Sequence, residues 1–127
     1  MKYKTQNDSI CPFSTHFNGK IVALFSPRGG SQLDQFASII VDNKLAHTIG
    51  MSTGGYSNTW EWKELVKNPK TNNVLCEFMW NIGHTIRVNG EILEGNPAQV
   101  DEHFPPTKEN FMNYKNILIR KSLEYFK

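Results

Sequence analysis

The chain has 127 residues, 39% of them hydrophobic and 20% charged, with 14 basic against 12 acidic side chains and a net charge of +2. That is enough for one modest domain, and the near-balance of charge excludes a dedicated nucleic-acid or polyphosphate binder. No stretch approaches the ~20 apolar residues of a membrane span, and the opening MKYKTQNDSICPF lacks the apolar centre of a signal peptide.

Residues 1–18 are polar and aperiodic and read as an irregular arm, with the domain proper over 19–127. Lys20 to Phe25 is a short apolar run with β-branched members, the pattern of a buried strand. Pro27 to Gly30 is a turn. Ser31 to Asn43 reads as a helix whose apolar face is Leu33, Phe36, Ala37 and Ile40, at i, i+3, i+4 and i+7. Ser31 stands at its cap position, and Asp34 three residues on approximates a capping box and complements the helix dipole. Ala46 to Gly50 is a second strand, followed by the glycine turn MSTGGYSN. Strand, helix and strand within so short a span form a βαβ unit and predict parallel pairing.

Trp60 to Val66 fits either a helix or a strand, and Asn68 to Asn73 is a turn cluster. Val74 to Trp80 and Thr85 to Val88 read as strands, with Asn89-Gly90 a hairpin turn before Glu91 to Leu93. The segment EGNPAQVDEHFPPT is irregular; Thr107 then caps a final helix over about Lys108 to Phe126, with Phe111, Tyr114, Leu118 and Phe126 near helical spacing. The alternation Trp60-Glu61-Trp62 predicts that one face of that segment is covered. With Phe78 and Trp80, these tryptophans either pack a core or line an apolar pocket. Cys11 and Cys76 are two thiols or one bridge, with no metal spacing, and the four histidines show no ligand pairing.

The chemistry centres on SPRGGSQLDQFASII, residues 26–40. Serine caps helices often, so a plain cap is one reading of Ser31. The other is a nucleophile. First-turn N–H groups at a helix N-terminus favour negative charge. Were Ser31 to attack a carbonyl, the Gln32 N–H would lie near the developing oxyanion, worth on the order of 3 kcal/mol to the transition state. Gly29 and Gly30 would admit a substrate backbone and permit strained dihedrals.

The run IVALFSPRGGSQLDQFASIIVDNKLAHTIGMSTGG resembles the C-terminal processing (tail-specific) serine peptidase family. Ser31, Asp34, Ala37, Gly50, Thr53 and Gly55 fall in that family's order without gaps, and LEGNPAQVD looks like its glutamate-glycine-proline-aspartate stretch. The resemblance covers roughly Gly19 to Asp101. It implies an α/β, ClpP/crotonase-like fold, here a partial domain with a βαβ unit, a short mixed sheet and a C-terminal helix. It also implies peptide-bond hydrolysis with Ser31 as nucleophile, Gly30, Gln32, Gly54, Gly55 and Tyr56 around the oxyanion and substrate, and no cofactor or metal. Expected partners are a peptide or protein substrate and the upstream half of the same peptidase, with homo-oligomerisation left open; neither nucleic acid nor a membrane span is expected. Members of the family are often exported, but the chain itself does not indicate a compartment.

Two departures shape the expectation. The lysine that many members carry after the Thr-x-Gly turn is Tyr56 here, and a phenol near pKa ~10 is a poor base at neutral pH. The lysine-less, tricorn-type branch uses a histidine with a second serine and a late glutamate, for which Glu94 is the candidate, or else a solvated turn residue. The family's arginine-x-asparagine-x-glycine-glycine segment is absent, so the chain reads as the C-terminal half of a peptidase domain with its base supplied from upstream. Among local histidines His84 ranks ahead of His47 and His103. Two alternatives stand beside hydrolysis: a non-catalytic module of the same fold that binds peptide or an apolar ligand, and, ranked last, an acyl-CoA enzyme of the crotonase branch.

Overall fold

A computed structural model describes Cys11, residues 13–57 and residues 60–127, without the side chain of Trp60. Most of the arm expected at 1–18 lies outside the described residues. The order is β1 (Val22–Phe25), α1 (Gln32–Asp42), β2 (His47–Gly50), β3 (Trp60–Lys67), β4 (Val74–Gly83), β5 (Glu102–His103), a 3-10 turn (Phe111–Asn113) and α2 (Tyr114–Glu124). The protein is a small mixed α/β domain. Among the described residues no helix is long and apolar enough to cross a membrane.

The βαβ unit is as expected: β1 and β2 run parallel, Val22 opposite His47 through Phe25 opposite Gly50. The expected single mixed sheet is two sheets instead. One is parallel, in the order β1-β2-β5; the other is the antiparallel ribbon β3-β4. The ambiguous Trp60 segment is a strand, because the 68–73 turn folds it back on β4, with the Asn68 side chain accepting from the N–H groups of Lys70 and Thr71. The strands expected at 85–88 and 91–93 reduce to one bridge between Ile86 and Ile92 around the Asn89-Gly90 turn. They are too short to extend a ladder.

β5 falls in the segment read as irregular. Its two residues carry no apolar alternation; a side chain determines the pairing instead. Asp101 accepts from both the backbone N–H and the hydroxyl of Thr48, at 2.8 and 2.7 Å, while its own N–H donates to the Thr48 hydroxyl. Thr48 is fully buried, so this exchange satisfies groups that water cannot reach.

The final helix begins at Tyr114 rather than Lys108. Thr107 and Asn110 exchange hydrogen bonds in a turn, Thr107 N–H to the Asn110 side chain and Asn110 N–H to the Thr107 hydroxyl, before the chain winds up. Only Leu118 of the expected apolar positions is buried; Phe111 and Phe126 are exposed. Polar groups and rings dock α2. The Tyr114 hydroxyl donates to the Phe104 carbonyl, Tyr125 stacks on His47 with ring centroids 4.4 Å apart, and Lys121 and His47 both reach Glu102 at 3.0 Å.

This cluster makes stability acid-sensitive. The Thr48 hydroxyl, and secondarily its N–H and His47, hold Asp101 below its ordinary pKa of 3.8. His47, then Lys121, hold Glu102 below 4.5. A carboxylate depressed in the folded state stabilises above its unfolded pKa and loses that contribution as pH falls through the folded value. Docking of β5 and α2 should therefore be undiminished at neutral pH and weaken progressively below about pH 4. Both carboxylates are largely exposed, so salt screens part of the effect. Near-ultraviolet circular dichroism of the Tyr125 region against pH measures it, and Thr48→Val should make the acid dependence shallower.

The core is compact. Phe25, Ala37 and Ala98 meet at its centre, flanked by Ala23, Ile40, Val41 and Val100. Helix α1 buries Asp34, Ala37 and Ser38, whereas the expected face was Leu33, Phe36, Ala37 and Ile40. The stripe is turned by one residue, leaving Phe36 53% exposed. Small Ala37 packs with Phe25 and Ala98. The fully buried Asp34 sets the rotation, as described below.

Candidate functional site

Ser31 sits between β1 and α1, where sequence places it, and its side chain is exposed. Its backbone is at φ 57°, ψ −118°, a conformation that non-glycine residues rarely adopt. Such a residue costs on the order of 1–3 kcal/mol and persists only where its surroundings hold it. The Ser31 carbonyl accepts from Gln35 N–H, beginning the helix, but its hydroxyl makes no capping hydrogen bond. The expected capping box does not form; the helix uses Ser31's backbone, and the hydroxyl takes no part in the cap.

The surroundings are the glycine turn after β2. Ser31 N–H donates to the Tyr56 carbonyl at 2.6 Å, and Gly54 N–H donates to the Gly29 carbonyl at 2.6 Å. Asp34, one turn into α1, accepts from Gly55 N–H at 3.0 Å and Tyr56 N–H at 2.8 Å. Four hydrogen bonds thus brace residues 29–34 against 54–56. The Asp34 carboxylate must face the turn to make two of them, which explains why α1 is rotated from its hydrophobic stripe. A second layer backs the first: Gly95 N–H donates to the Gly55 carbonyl, and Ser57 N–H to the Glu94 carboxylate.

These bonds assign most of the expected oxyanion and substrate donors to the scaffold. The N–H groups of Gly54, Gly55 and Tyr56 are all engaged. Gln32, at the first helical position, has no intrahelical acceptor for its N–H. Gly30 lies beneath the Tyr56 ring, where an added Cβ would stand 2.6 Å from a ring carbon; Gly54 is covered by the same ring. Tyr56 therefore shields this glycine pair. Both glycines, expected around the substrate, stand under the Tyr56 ring.

The candidate bases are dispersed. His47 pairs with Val22, at the beginning of β1, and is engaged with Glu102, so it lies at the opposite end of the sheet from the elbow. His84 is exposed beyond β4, beside Asn81. His103 pairs with Gly50 at the end of the sheet from which Ser31 emerges, although it ranks below His84 in the sequence. Ligand sites in parallel sheets gather at that end. Glu94 is half-buried and holds the Ser57 N–H. Among the described hydrogen bonds, none joins a histidine, lysine or Glu94 to Ser31. Two further hydroxyls, those of Thr53, a motif position in the sequence, and of Ser57, which nothing in the sequence singles out, are buried on either side of the turn without a hydrogen-bond partner among the described residues.

A shallow cleft of about 270 Å³ opens on another flank of α1, between Ser38, Asp42, Thr85 and Arg87; Ser31 is not in its wall. The Arg87 guanidinium grips the Asp42 carboxylate through two nitrogens there, and that contact holds the Arg87 pKa above its ordinary value.

The strain at Ser31 is directly measurable. Ser31→Gly should raise stability by about 1 kcal/mol, since glycine adopts positive φ without steric penalty. Chemical denaturation checks it. A loss of stability would mean that the hydroxyl makes a contact worth more than the strain.

No protein-family model and no curated protein sequence matches this chain.

Proposed function

We propose that Ser31 is the nucleophile of a serine-peptidase site on a ClpP/crotonase-like scaffold, related to the tail-specific peptidases. The observation that carries this reading is the strained, exposed elbow: a serine at φ 57°, ψ −118°, its hydroxyl making no cap hydrogen bond, at the N-terminus of α1. Strain held by four hydrogen bonds is a reason to suspect function, because a plain loop would relax it. In the proposed reaction the Ser31 Oγ adds to a peptide carbonyl and the tetrahedral oxyanion accepts from Gln32 N–H. The amine departs with the serine's proton, carried by a base that the described residues do not bring to Ser31. Water then cleaves the acyl-serine ester.

A fluorophosphonate probe tests this, since it phosphonylates an activated serine. Wild type should label and Ser31→Ala should not. Labelling that survives Ser31→Ala overturns the assignment.

One observation favours a second reading. The Tyr56 ring covers Gly30 and Gly54, and no base contacts Ser31 among the described residues. This arrangement suits a non-catalytic module of the same fold that binds a peptide or an apolar ligand. Saturable peptide binding without turnover, unchanged in Ser31→Ala, supports that alternative over hydrolysis. No observation favours the acyl-CoA reading.

A further inference from the structure

The β3-β4 ribbon stands apart from the parallel sheet. Alternation puts Trp62, Glu64 and Val66 on one face with Cys76, Phe78 and Trp80, and Lys63, Leu65 and Lys67 on the other with Glu77 and Met79. Contrary to the expectation from Trp60-Glu61-Trp62, neither face is covered among the described residues: Trp62 is 54% and Phe78 57% exposed. Among the described residues β3 pairs only with β4, so its outer edge presents backbone groups that no described strand pairs. Such an edge is a template for another strand unless its side chains forbid it.

The side chains of β3 are selective. Two copies related by a two-fold axis can add strand to strand only antiparallel, with the axis perpendicular to the combined sheet. A residue then faces another of its own parity, so each register is centred on one residue. A centre at Glu61 sets that glutamate against itself; at Lys63, lysine against lysine; at Glu64, glutamate against glutamate. A centre at Leu65 opposes Lys63 to Lys67. Directly facing like charges are unfavourable in a sheet. A centre at Trp62 opposes Glu61 to Lys63 twice and stacks the two Trp62 side chains across the axis. Among these five registers it alone pairs opposite charges without facing like ones.

We propose that β3 is a self-association edge: a second copy of this chain adds its β3 antiparallel, in register about Trp62, giving a four-stranded sheet. Lys63, 3.6 Å from Glu77 within its own ribbon, then lies between Glu77 and the partner's Glu61. Both residues are exposed, so reversing their charge leaves each fold intact.

Sedimentation velocity on the full chain over a range of concentrations tests the proposal. Wild type should show a monomer–dimer equilibrium. Glu61→Lys and Lys63→Glu should each weaken it at least tenfold. The double variant should regain the dimer, and so should an equimolar mixture of the two single variants, as a one-to-one heterodimer. A chain monomeric at every concentration overturns the proposal. So does a dimer indifferent to both single reversals, and so does one abolished by Phe78→Asp but untouched by them, which would place the contact on the ribbon's aromatic face.

Discussion

Asp34→Ala is expected to destabilise the protein by about 3–4 kcal/mol, which is a large fraction of a small domain's total. The carboxylate is fully buried and accepts from two backbone N–H groups, Gly55 and Tyr56. Charge-assisted bonds of this kind contribute about 1.5–3 kcal/mol each, and truncation leaves the buried Gly55 N–H and the part-buried Tyr56 N–H without their acceptor. The effect extends to the site: with the turn released, the Tyr56 carbonyl no longer holds Ser31 N–H, and Ser31 can relax from φ 57°. Urea denaturation reads the first effect and fluorophosphonate labelling the second. Asp34→Asn keeps a single carbonyl acceptor and should fall between wild type and alanine. If Asp34→Ala lost less than about 1 kcal/mol, the carboxylate would not be what braces the turn.

Gly50→Ala should cost about 3 kcal/mol or more, by a different route. Gly50 ends β2 at φ 120°, and an added Cβ would lie 2.4 Å from the backbone carbonyl oxygen of Phe25. That oxygen cannot swing aside as a flexible side chain would, because it also accepts from Met51 N–H at 3.1 Å. Accommodating the methyl means separating the ends of β1 and β2, from which the elbow emerges. Gly95→Ala is the control. It shares a positive φ of 78° but meets nothing within 4 Å, so it should lose only about 1 kcal/mol of backbone strain. Thermal unfolding of both variants separates crowding from conformational preference.

The βαβ unit was legible because its information is local: an apolar run, a glycine turn, a periodic stretch and a second run. The elbow was legible for the same reason, since Gly29-Gly30-Ser31 announces an unusual backbone. What escaped depends on contacts distant in sequence. The two residues of β5 have no strand-like pattern, and Thr48 recruits them through a side chain 53 positions from Asp101. The rotation of α1 escaped because periodicity scores Leu33 and Phe36 as inward. Two N–H groups from the next turn instead draw Asp34 inside. Read as a cap, Asp34 is the residue whose role changed most between the sequence and the structure. The histidines show the limit plainly. Their sequence neighbourhoods rank His84 first, but only pairing register reveals that His103 shares an end of the sheet with the elbow.

The separation of 53 residues that β5 must close has a kinetic consequence. Ribbon β3-β4 is a local hairpin and can form in microseconds, while β1 and β2 need only a short crossover. β5 adds its strand only after a long loop has closed, the costly kind of contact in any folding route. Its arrival should be the late event in refolding, reported by the quenching or shift of Tyr125 emission as that ring settles on His47. Until then the newly made chain carries a finished hairpin beside an unfinished sheet.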